Sequence, residues 1–122
     1  MNKGRKSTGG KYHKFRKKKH CEQDNQPRVV KLDEKTRKTR IRARGGHTKT
    51  AIITESFANV LDKKTGKMAK TKIKNVIETP SNTFLARQNV LVKSAIIETE
   101  LGKARITNRP SQEGSVNAVL IE

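Results

Sequence analysis

The sequence has few of the residues that build large cores, disulfides and most catalytic sites. Its 122 residues include no tryptophan, one tyrosine, three phenylalanines and one cysteine. The single cysteine, Cys21, excludes an internal disulfide and fits a reducing cytoplasm. The length of 122 residues predicts one domain. Because only 31% of the residues are hydrophobic, we expect its core to be thin and aliphatic.

The sequence also lacks the features of a membrane protein. No apolar run reaches the length of a membrane span, and there is no lipidation signal or amphipathic helix with a leucine or tryptophan face. The N-terminal region is rich in lysine rather than in arginine and serine, so it does not resemble a mitochondrial transit peptide. We therefore expect no membrane partner.

Negative charge is scarce, above all near the N-terminus. The chain has 29 lysines and arginines against 11 aspartates and glutamates, and residues 1–50 hold 18 of the former and 4 of the latter. Residues 1–20, which we call the arm, contain nine basic residues, no acidic residue and three apolar ones. So few apolar side chains cannot offset the entropy of folding, which predicts a disordered arm. Its mutually repelling charges favour a polyanion such as a phosphate backbone, and a solvated tail is the alternative.

Small and aromatic residues interrupt the charges of the arm. The pair Gly9-Gly10 provides flexible backbone that can lie close against another backbone. Tyr12 and Phe15 can either stack on exposed bases or hold the arm against its own domain. A polar linker follows, so we divide the chain into an extension with its linker, residues 1–27, and a body, residues 28–122.

Three stretches of the body alternate basic residues with small or apolar ones, which is the period of a β-strand. The basic members are Lys38, Arg40, Arg42 and Arg44 in the first stretch, Lys70, Lys72 and Lys74 in the second, and Lys103 and Arg105 in the third. We expect these strands to present one positive face that is continuous with the arm. For the second stretch, a solvated charged face is an equal alternative.

Turn signals about every ten residues separate several short strands, which predicts an all-β fold and a small β-barrel-like domain. The predicted strands are residues 28–32, from 37 to a glycine turn at 44–47, 48–54, 57–61, 68–79, 90–92, 95–100, 103–107 and 116–121. Ser81 is predicted to cap a short helix over residues 83–88. The predicted core consists of Ile41, Ile53, Val60, Ile73, Ile77, Val92, Ile97, Ile106, Val116, Ala118 and Leu120.

The sequence contains no catalytic or metal-binding constellation. The three histidines and Cys21 lack metal-ligand spacing, and Cys21 has no framed base. The two glycine pairs lack the lysine and hydroxyl residues of a nucleotide-binding loop. Glu98 and Glu100 share one strand face, which favours a solvated pair over a hydrolytic one. We predict no enzyme activity, no cofactor, no metal and no small-molecule substrate.

The basic residues suit nucleic acid, and RNA better than DNA. No recognition helix is available for a major groove, whereas structured RNA is read through its shape and backbone. The body has only Phe57 and Phe84 as aromatic residues, which are too few for base stacking across a sheet. Arg40, Arg42 and Arg44 matter most, because a guanidinium can bind two phosphate oxygens at once.

Four ordered segments resemble one known protein family. Residues 101–120 read LGKARITNRPSQEGSVNAVL, and residues 6–10 read KSTGG before a basic block. Residues 42–46 read RARGG, and Asn59-Val60 through Thr65-Gly66 follow in the expected order. The chain therefore resembles the "S-eight-e" family of small-subunit ribosomal proteins of the eukaryotic and archaeal type, and its compact length resembles the archaeal form. Residues 20–24, HCEQD, depart from the family's usual aromatic residue followed by Glu-Leu-Gly.

This resemblance implies a β-barrel-like body, a basic extension threaded into ribosomal RNA, and a structural role in the small subunit, in translation, without catalysis. It implies a cytoplasmic location on the ribosome, with small-subunit ribosomal RNA and neighbouring ribosomal proteins as partners. We expect no homo-oligomer. A ribosome-assembly factor of the same domain family is the alternative, and a general nucleic-acid-binding protein and an enzyme acting on RNA are further hypotheses.

The residues expected to contact RNA combine the arm with basic and glycine positions of the body. They are Lys3, Arg5, Lys6, Gly9, Gly10, Lys11, Tyr12, His13, Lys14, Phe15, Arg16, Lys17, Lys18, Lys19, Lys38, Arg40, Arg42, Arg44, Gly45, Gly46, Lys103, Arg105 and Arg109. The resemblance makes the basic residues of the arm, its glycine pair and residues 42–46 the leading contacts.

Overall fold

β-strands make up almost all of the regular structure. The computed structural model describes residues 4–13, 16–24 and 27–121. The strands are β1 (Lys31–Leu32), β2 (Arg37–Arg42), β3 (Thr48–Glu55), β4 (Phe57–Leu61), β5 (Met68–Glu78), β6 (Ile96–Thr99), β7 (Gly102–Ile106) and β8 (Asn117–Leu120). A short helix, α1 (Thr83–Arg87), and two 3-10 turns, His20–Glu22 and Arg44–Gly46, complete the regular elements of these residues.

Five of the strands close into a barrel in the order β4-β5-β6-β7-β8. Neighbouring strands pair antiparallel, except that β8 closes the barrel by pairing parallel with β4. The other three strands form a separate sheet in the order β1-β3-β2. The prediction of an all-β protein with a small barrel is therefore confirmed.

The barrel interior is filled by aliphatic side chains that alternate with outward-facing ones. In β4, for example, Ala58 and Val60 are buried at 1% exposure, while Phe57, Asn59 and Leu61 face outward between them. The core also takes in residues from outside the barrel strands, namely Val30, Ile52 and Leu91. Burying each large aliphatic side chain contributes about 1.5–3 kcal/mol, and none of the buried core residues that the structure describes is aromatic.

Most of the predicted core is confirmed. Six of its residues are buried, namely Val60, Ile73, Ile97, Ile106, Val116 and Ala118. Val92 and Leu120 pack against the core while partly exposed, and Ile41 is half-buried on β2.

The prediction that Ile53 and Ile77 lie in the core is wrong, because the alternation of inward and outward side chains changes within β3 and β5. Ile77 is 42% exposed and Ile53 is 43% exposed. In β5, the pairing with β6 shifts register twice, so Val76 faces inward and the next residue faces out. In β3, Ile52 is fully buried in the core, which turns its successor outward.

Two further local predictions are wrong. Residues 90–92 do not form a strand, because Val90 makes only an isolated bridge with Lys31. The helix α1 is capped by Asn82 rather than by Ser81, since the Asn82 side chain accepts a hydrogen bond from the Phe84 N–H at 3.0 Å.

Candidate nucleic-acid interface

A tight turn folds the first described part of the arm back on itself. The Lys6 N–H donates to the Gly10 carbonyl at 2.9 Å, and the Gly9 N–H donates to the Lys6 carbonyl at 2.9 Å. The Arg5 guanidinium donates to the Gly9 carbonyl at 3.1 Å, and Gly9 has a φ of 81° that favours glycine. The Lys6 ammonium lies 5.7 Å from the centroid of the Tyr12 ring. The turn thus presents two cations and an exposed aromatic ring on one short loop.

An ion pair organises the second described part of the arm. The Arg16 guanidinium donates to both carboxylate oxygens of Glu22 at 2.8 Å, and the Lys19 N–H donates to the same carboxylate at 3.1 Å. The bond from Arg16, followed by that from Lys19, lowers the pKa of Glu22, and the same ion pair raises the pKa of Arg16. Lys17 and Lys18 form no ion pair with a described residue. Arg16 is therefore engaged, while the next two lysines are available to phosphate.

Three predicted contacts of the arm, Lys3, Lys14 and Phe15, lie outside the described residues. The remaining arm positions are all exposed, namely Arg5, Lys6, Gly9, Gly10, Lys11, Tyr12, His13, Arg16, Lys17, Lys18 and Lys19. No hydrogen bond or ion pair joins residues 4–13 or 16–20 to a strand of the described body. Among these residues, the Tyr12 ring contacts the ammonium group of Lys6, which also belongs to the arm.

A second group of cations lies on the hairpin of β2 and β3. On one side of this hairpin, Arg40 lies opposite Thr50 and Arg42 lies opposite Thr48. We call this side, with Lys38 at its inner end, the hairpin face. Arg40 and Arg42 are exposed and form no ion pair with any residue that the structure describes. Both guanidinium groups are therefore free to bind an external anion.

Lys38 has a different environment from the two arginines. Its ammonium lies 3.9 Å from the carboxylate of Glu55, which is only 6% exposed. The same carboxylate accepts hydrogen bonds from the Thr36 hydroxyl at 2.7 Å and the Ser56 N–H at 3.3 Å. Because an unpaired buried carboxylate is strongly penalised, these partners are needed for the fold. Lys38 thus helps to neutralise a buried carboxylate of the body. Arg40 and Arg42 are therefore the stronger candidates for binding phosphate.

Two glycines shape the tip of the hairpin. The Ala43 N–H donates to the His47 carbonyl at 2.7 Å and closes the tip. Gly45 and Gly46 have successive φ values of 81° and 79°, which residues with side chains rarely adopt. A Cβ at Gly45 would also lie 3.4 Å from the His47 ring. Arg44 precedes the pair, begins the 3-10 turn and is exposed.

The loop before β8 fixes the hairpin to the barrel. Ile52 enters the barrel core, and its N–H donates to the carbonyl of Pro110 at 3.1 Å. Further along this loop, a Cβ at Gly114 would lie 3.3 Å from the Thr50 methyl group, so the loop lies against the hairpin face. Arg109 is exposed and directly precedes Pro110. The loop therefore brings a further cation to the base of the hairpin.

The expectation of one continuous positive face over three strands is wrong. β2 belongs to the separate sheet, whereas β5 and β7 belong to the barrel and are separated by β6. On β6, Glu98 lies opposite Lys103 of β7, so a carboxylate interrupts the positive charge there. Arg105 lies opposite Val119 of β8. Lys103 and Arg105 are exposed, but the strand order places them apart from the other basic strands.

Sequence reasoning missed two exposed cations of the hairpin, Arg37 at the start of β2 and Lys49 on β3. Lys49 lies on β3 opposite Ile41 and is exposed, on the side away from the hairpin face. The sequence did indicate Lys49, because it lies just after the glycine turn, where the returning strand must run beside β2. The hairpin thus carries positive charge on both sides.

Among the described residues, no group of three or more histidine, cysteine, aspartate or glutamate side chains is placed to hold a metal ion. No helix in this part of the chain is long and apolar enough to cross a membrane. Cys21 is a free, exposed thiol in the 3-10 turn directly after the arm.

Together, the fold and the charge distribution define a small, strongly basic β-barrel protein with cations concentrated on an arm and a hairpin. The sequence pattern of the family described as Ribosomal protein S8e matches residues 1–121. The chain therefore belongs to the ribosomal protein S8e family, as its resemblance to the "S-eight-e" family predicted.

Curated relatives support this assignment over nearly the whole chain. The chain is 50% identical over 118 residues to "Small ribosomal subunit protein eS8" of Methanocorpusculum labreanum, covering 97% of this chain and 94% of the relative. It is 44% identical over 119 residues to the protein of the same name from Hyperthermus butylicus, covering 97% and 88%. A third relative of that name, from Sulfurisphaera tokodaii, is 43% identical over 118 residues, covering 97% and 92%.

Proposed function

We propose that the chain is a structural constituent of the small ribosomal subunit and that it binds ribosomal RNA through the arm and the hairpin face. Its family and the names of its relatives support the ribosomal role. The observation that carries the RNA-binding site is the pair of exposed arginines, Arg40 and Arg42, which have no ion pair among the described residues. The chain acts in translation, on cytoplasmic ribosomes, and has no catalytic role.

The proposed interface has a fixed part and an extended part. The body, residues 28–122, holds the hairpin in place through the burial of Ile52 and its bond to Pro110. The extension, residues 1–27, reaches along RNA from this fixed point. Lys103 on the barrel and Arg109 beside the hairpin are secondary contacts with RNA.

Phosphate binding is the physical basis of this interface. Every phosphate that a cation neutralises releases condensed counterions, which makes binding favourable and dependent on salt. A guanidinium also presents two parallel N–H donors to phosphate oxygens. Because the hairpin is held by the core, Arg40 and Arg42 lose little backbone entropy when they bind.

The partners of the chain are small-subunit ribosomal RNA and neighbouring ribosomal proteins. One copy of the chain binds per subunit, and no membrane or small-molecule substrate takes part. The continuous polyanion of the RNA matches a protein with a net charge of +18.

Sedimentation tests the proposed function. A tagged copy of the chain is expressed in its host, and the lysate is separated on sucrose gradients in high salt. The chain should remain with mature small subunits. Recovery only with subunit precursors would instead support an assembly factor, and absence from all ribosomal fractions would overturn the proposal. A parallel binding assay should give higher affinity for small-subunit RNA fragments than for duplex DNA, since equal affinities would indicate a general nucleic-acid-binding protein.

A further inference from the structure

An apolar strip crosses the outer wall of the barrel on a part that the proposed RNA interface uses little. Strand register places Met68 opposite Leu61, and Leu61 opposite Val119. Val119 lies in turn opposite Arg105. Met68 is 65% exposed, while Leu61 and Val119 are half-buried. Three aliphatic side chains thus lie side by side across three strands and end at a cation.

The strip leads into a groove of about 660 Å³ between the β4–β5 loop, the β6–β7 turn and the end of β8. Leu101 and Ile121 contribute further apolar surface to this groove, with exposures of 52% and 41%. Gly102 adds no side chain, so the groove stays open between them. Together with Leu61, Val119 and Met68, they form a run of exposed or half-buried apolar side chains that a partner can cover.

The charges of the groove favour an acidic occupant. Lys63 and Arg105 line it, are exposed and form no ion pair with a described residue. Asp62 also lines the groove, but its carboxylate accepts hydrogen bonds from the Lys64 N–H and the Thr65 hydroxyl, both at 2.9 Å. Its oxygens are therefore used within their own loop. The groove combines an aliphatic floor with cations at its rim.

This combination suits a protein segment better than RNA. Nucleic acid offers aromatic bases and phosphates, which are bound by stacking and by ionic contacts. The groove has no aromatic residue among those that line it, and aliphatic side chains prefer aliphatic partners. The hairpin face, by contrast, has arginines and threonines and no exposed aliphatic floor.

We propose that this groove binds an extended acidic segment of a neighbouring small-subunit protein. One aliphatic side chain of that segment packs on Leu101, Val119 and Ile121, and its carboxylates lie against Lys63 and Arg105. This inference rests on the proposed function, because the neighbour is met in the assembled subunit. It adds a protein-binding surface with a defined chemistry to the RNA interface.

Zero-length crosslinking of intact small subunits tests the proposal without altering the chain. A carbodiimide joins an amine to a carboxylate only where the two are in contact. Lys63 should be joined to an aspartate or glutamate of another small-subunit protein, in a segment that also carries aliphatic residues. The Lys63→Arg variant should lose this crosslink and remain in the subunit, since it keeps the charge but lacks the amine. If Lys63 is joined only to its own chain, or to nothing, the proposal is wrong.

A photoreactive side chain tests the apolar half of the groove. Benzoylphenylalanine at position 121 should crosslink to the same segment, whereas the same group at Ile77 should not. The two positions are matched, with exposures of 41% and 42%. If position 121 crosslinks to RNA instead, the groove belongs to the RNA interface and the inference fails. If the unaltered chain is absent from subunits, the proposed function itself fails, which is a different result. Position 101 serves as a second site if the variant at 121 is not incorporated.

Discussion

The paired substitution Arg40→Gln and Arg42→Gln is expected to flatten the salt dependence of RNA binding. Both guanidinium groups are exposed and have no ion pair among the described residues, so each is expected to neutralise one phosphate. Removing one such cation reduces the slope of log affinity against log salt by about 0.7–0.9. The slope of the double variant should therefore be smaller by about 1.4–1.8.

The effect is large enough to measure by fluorescence anisotropy. Between 50 and 200 mM salt, a slope difference of this size makes the wild-type affinity fall about 7- to 12-fold more than that of the variant. The control is Lys72→Gln with Lys74→Gln, which removes the same charge from an exposed part of β5 outside the proposed interface. A double variant with the wild-type slope, or a control with an equally reduced slope, would refute the assignment of phosphate binding to the hairpin face.

Three further predictions concern the arm and the body. Glu22→Gln should release Arg16 and steepen the slope of log RNA affinity against log salt by up to about 0.9. Because the pKa of Glu22 is lowered, its ion pair with Arg16 is present at neutral pH and is lost as the pH falls through that lowered value. An unchanged slope at neutral pH would contradict this role of Glu22. Ile106→Asp should destabilise the body by more than about 4 kcal/mol, because it buries an unpaired charge, and a wild-type melting temperature would show that this position is not in the core. Ile52→Ala should lower the free energy of unfolding by about 2–5 kcal/mol, measured by urea denaturation, and a decrease below about 0.5 kcal/mol would mean that the hairpin is not anchored by the core.

The strands were predictable because their signals are local. Alternation along β7 places Ala104 and Ile106 inside and Lys103 and Arg105 outside, as the structure shows. The alternation also held in β5 from Lys70 to Lys74. It failed after that point because a register shift depends on how β5 pairs with β6, which lies about twenty residues further on.

The arrangement of the basic strands was not predictable, because it depends on strand order. The barrel closes where β4 pairs with the distant strand β8, and the side chains of Asn59 and Asn117 are joined there by a hydrogen bond of 3.1 Å. No local pattern records which distant strands will be neighbours. The bond from Ile52 to Pro110 likewise joins residues that are far apart in the sequence.

The candidate site was predicted in its residues rather than in its geometry. The exposed arginines of β2 followed from alternation, and the turn at Gly45 and Gly46 from the glycine pair. The engagement of Arg16 by Glu22 did not follow, because it requires the chain to fold back through a 3-10 turn. The groove beside Ile121 also went unseen, since it combines three separate loops and strand ends.

Directed hydroxyl-radical probing from Cys21 is the most direct test of whether the basic arm lies against ribosomal RNA. This residue is the only cysteine in the sequence, and its exposed thiol lies at the end of the arm, so an iron chelate attached there reports on RNA close to that end. In reconstituted small subunits, the chelate should cleave the ribosomal RNA at a small number of clustered positions, and the Cys21→Ser chain treated in the same way should give no such cleavage. A chain that is incorporated into subunits but produces no RNA cleavage above this control would contradict the account.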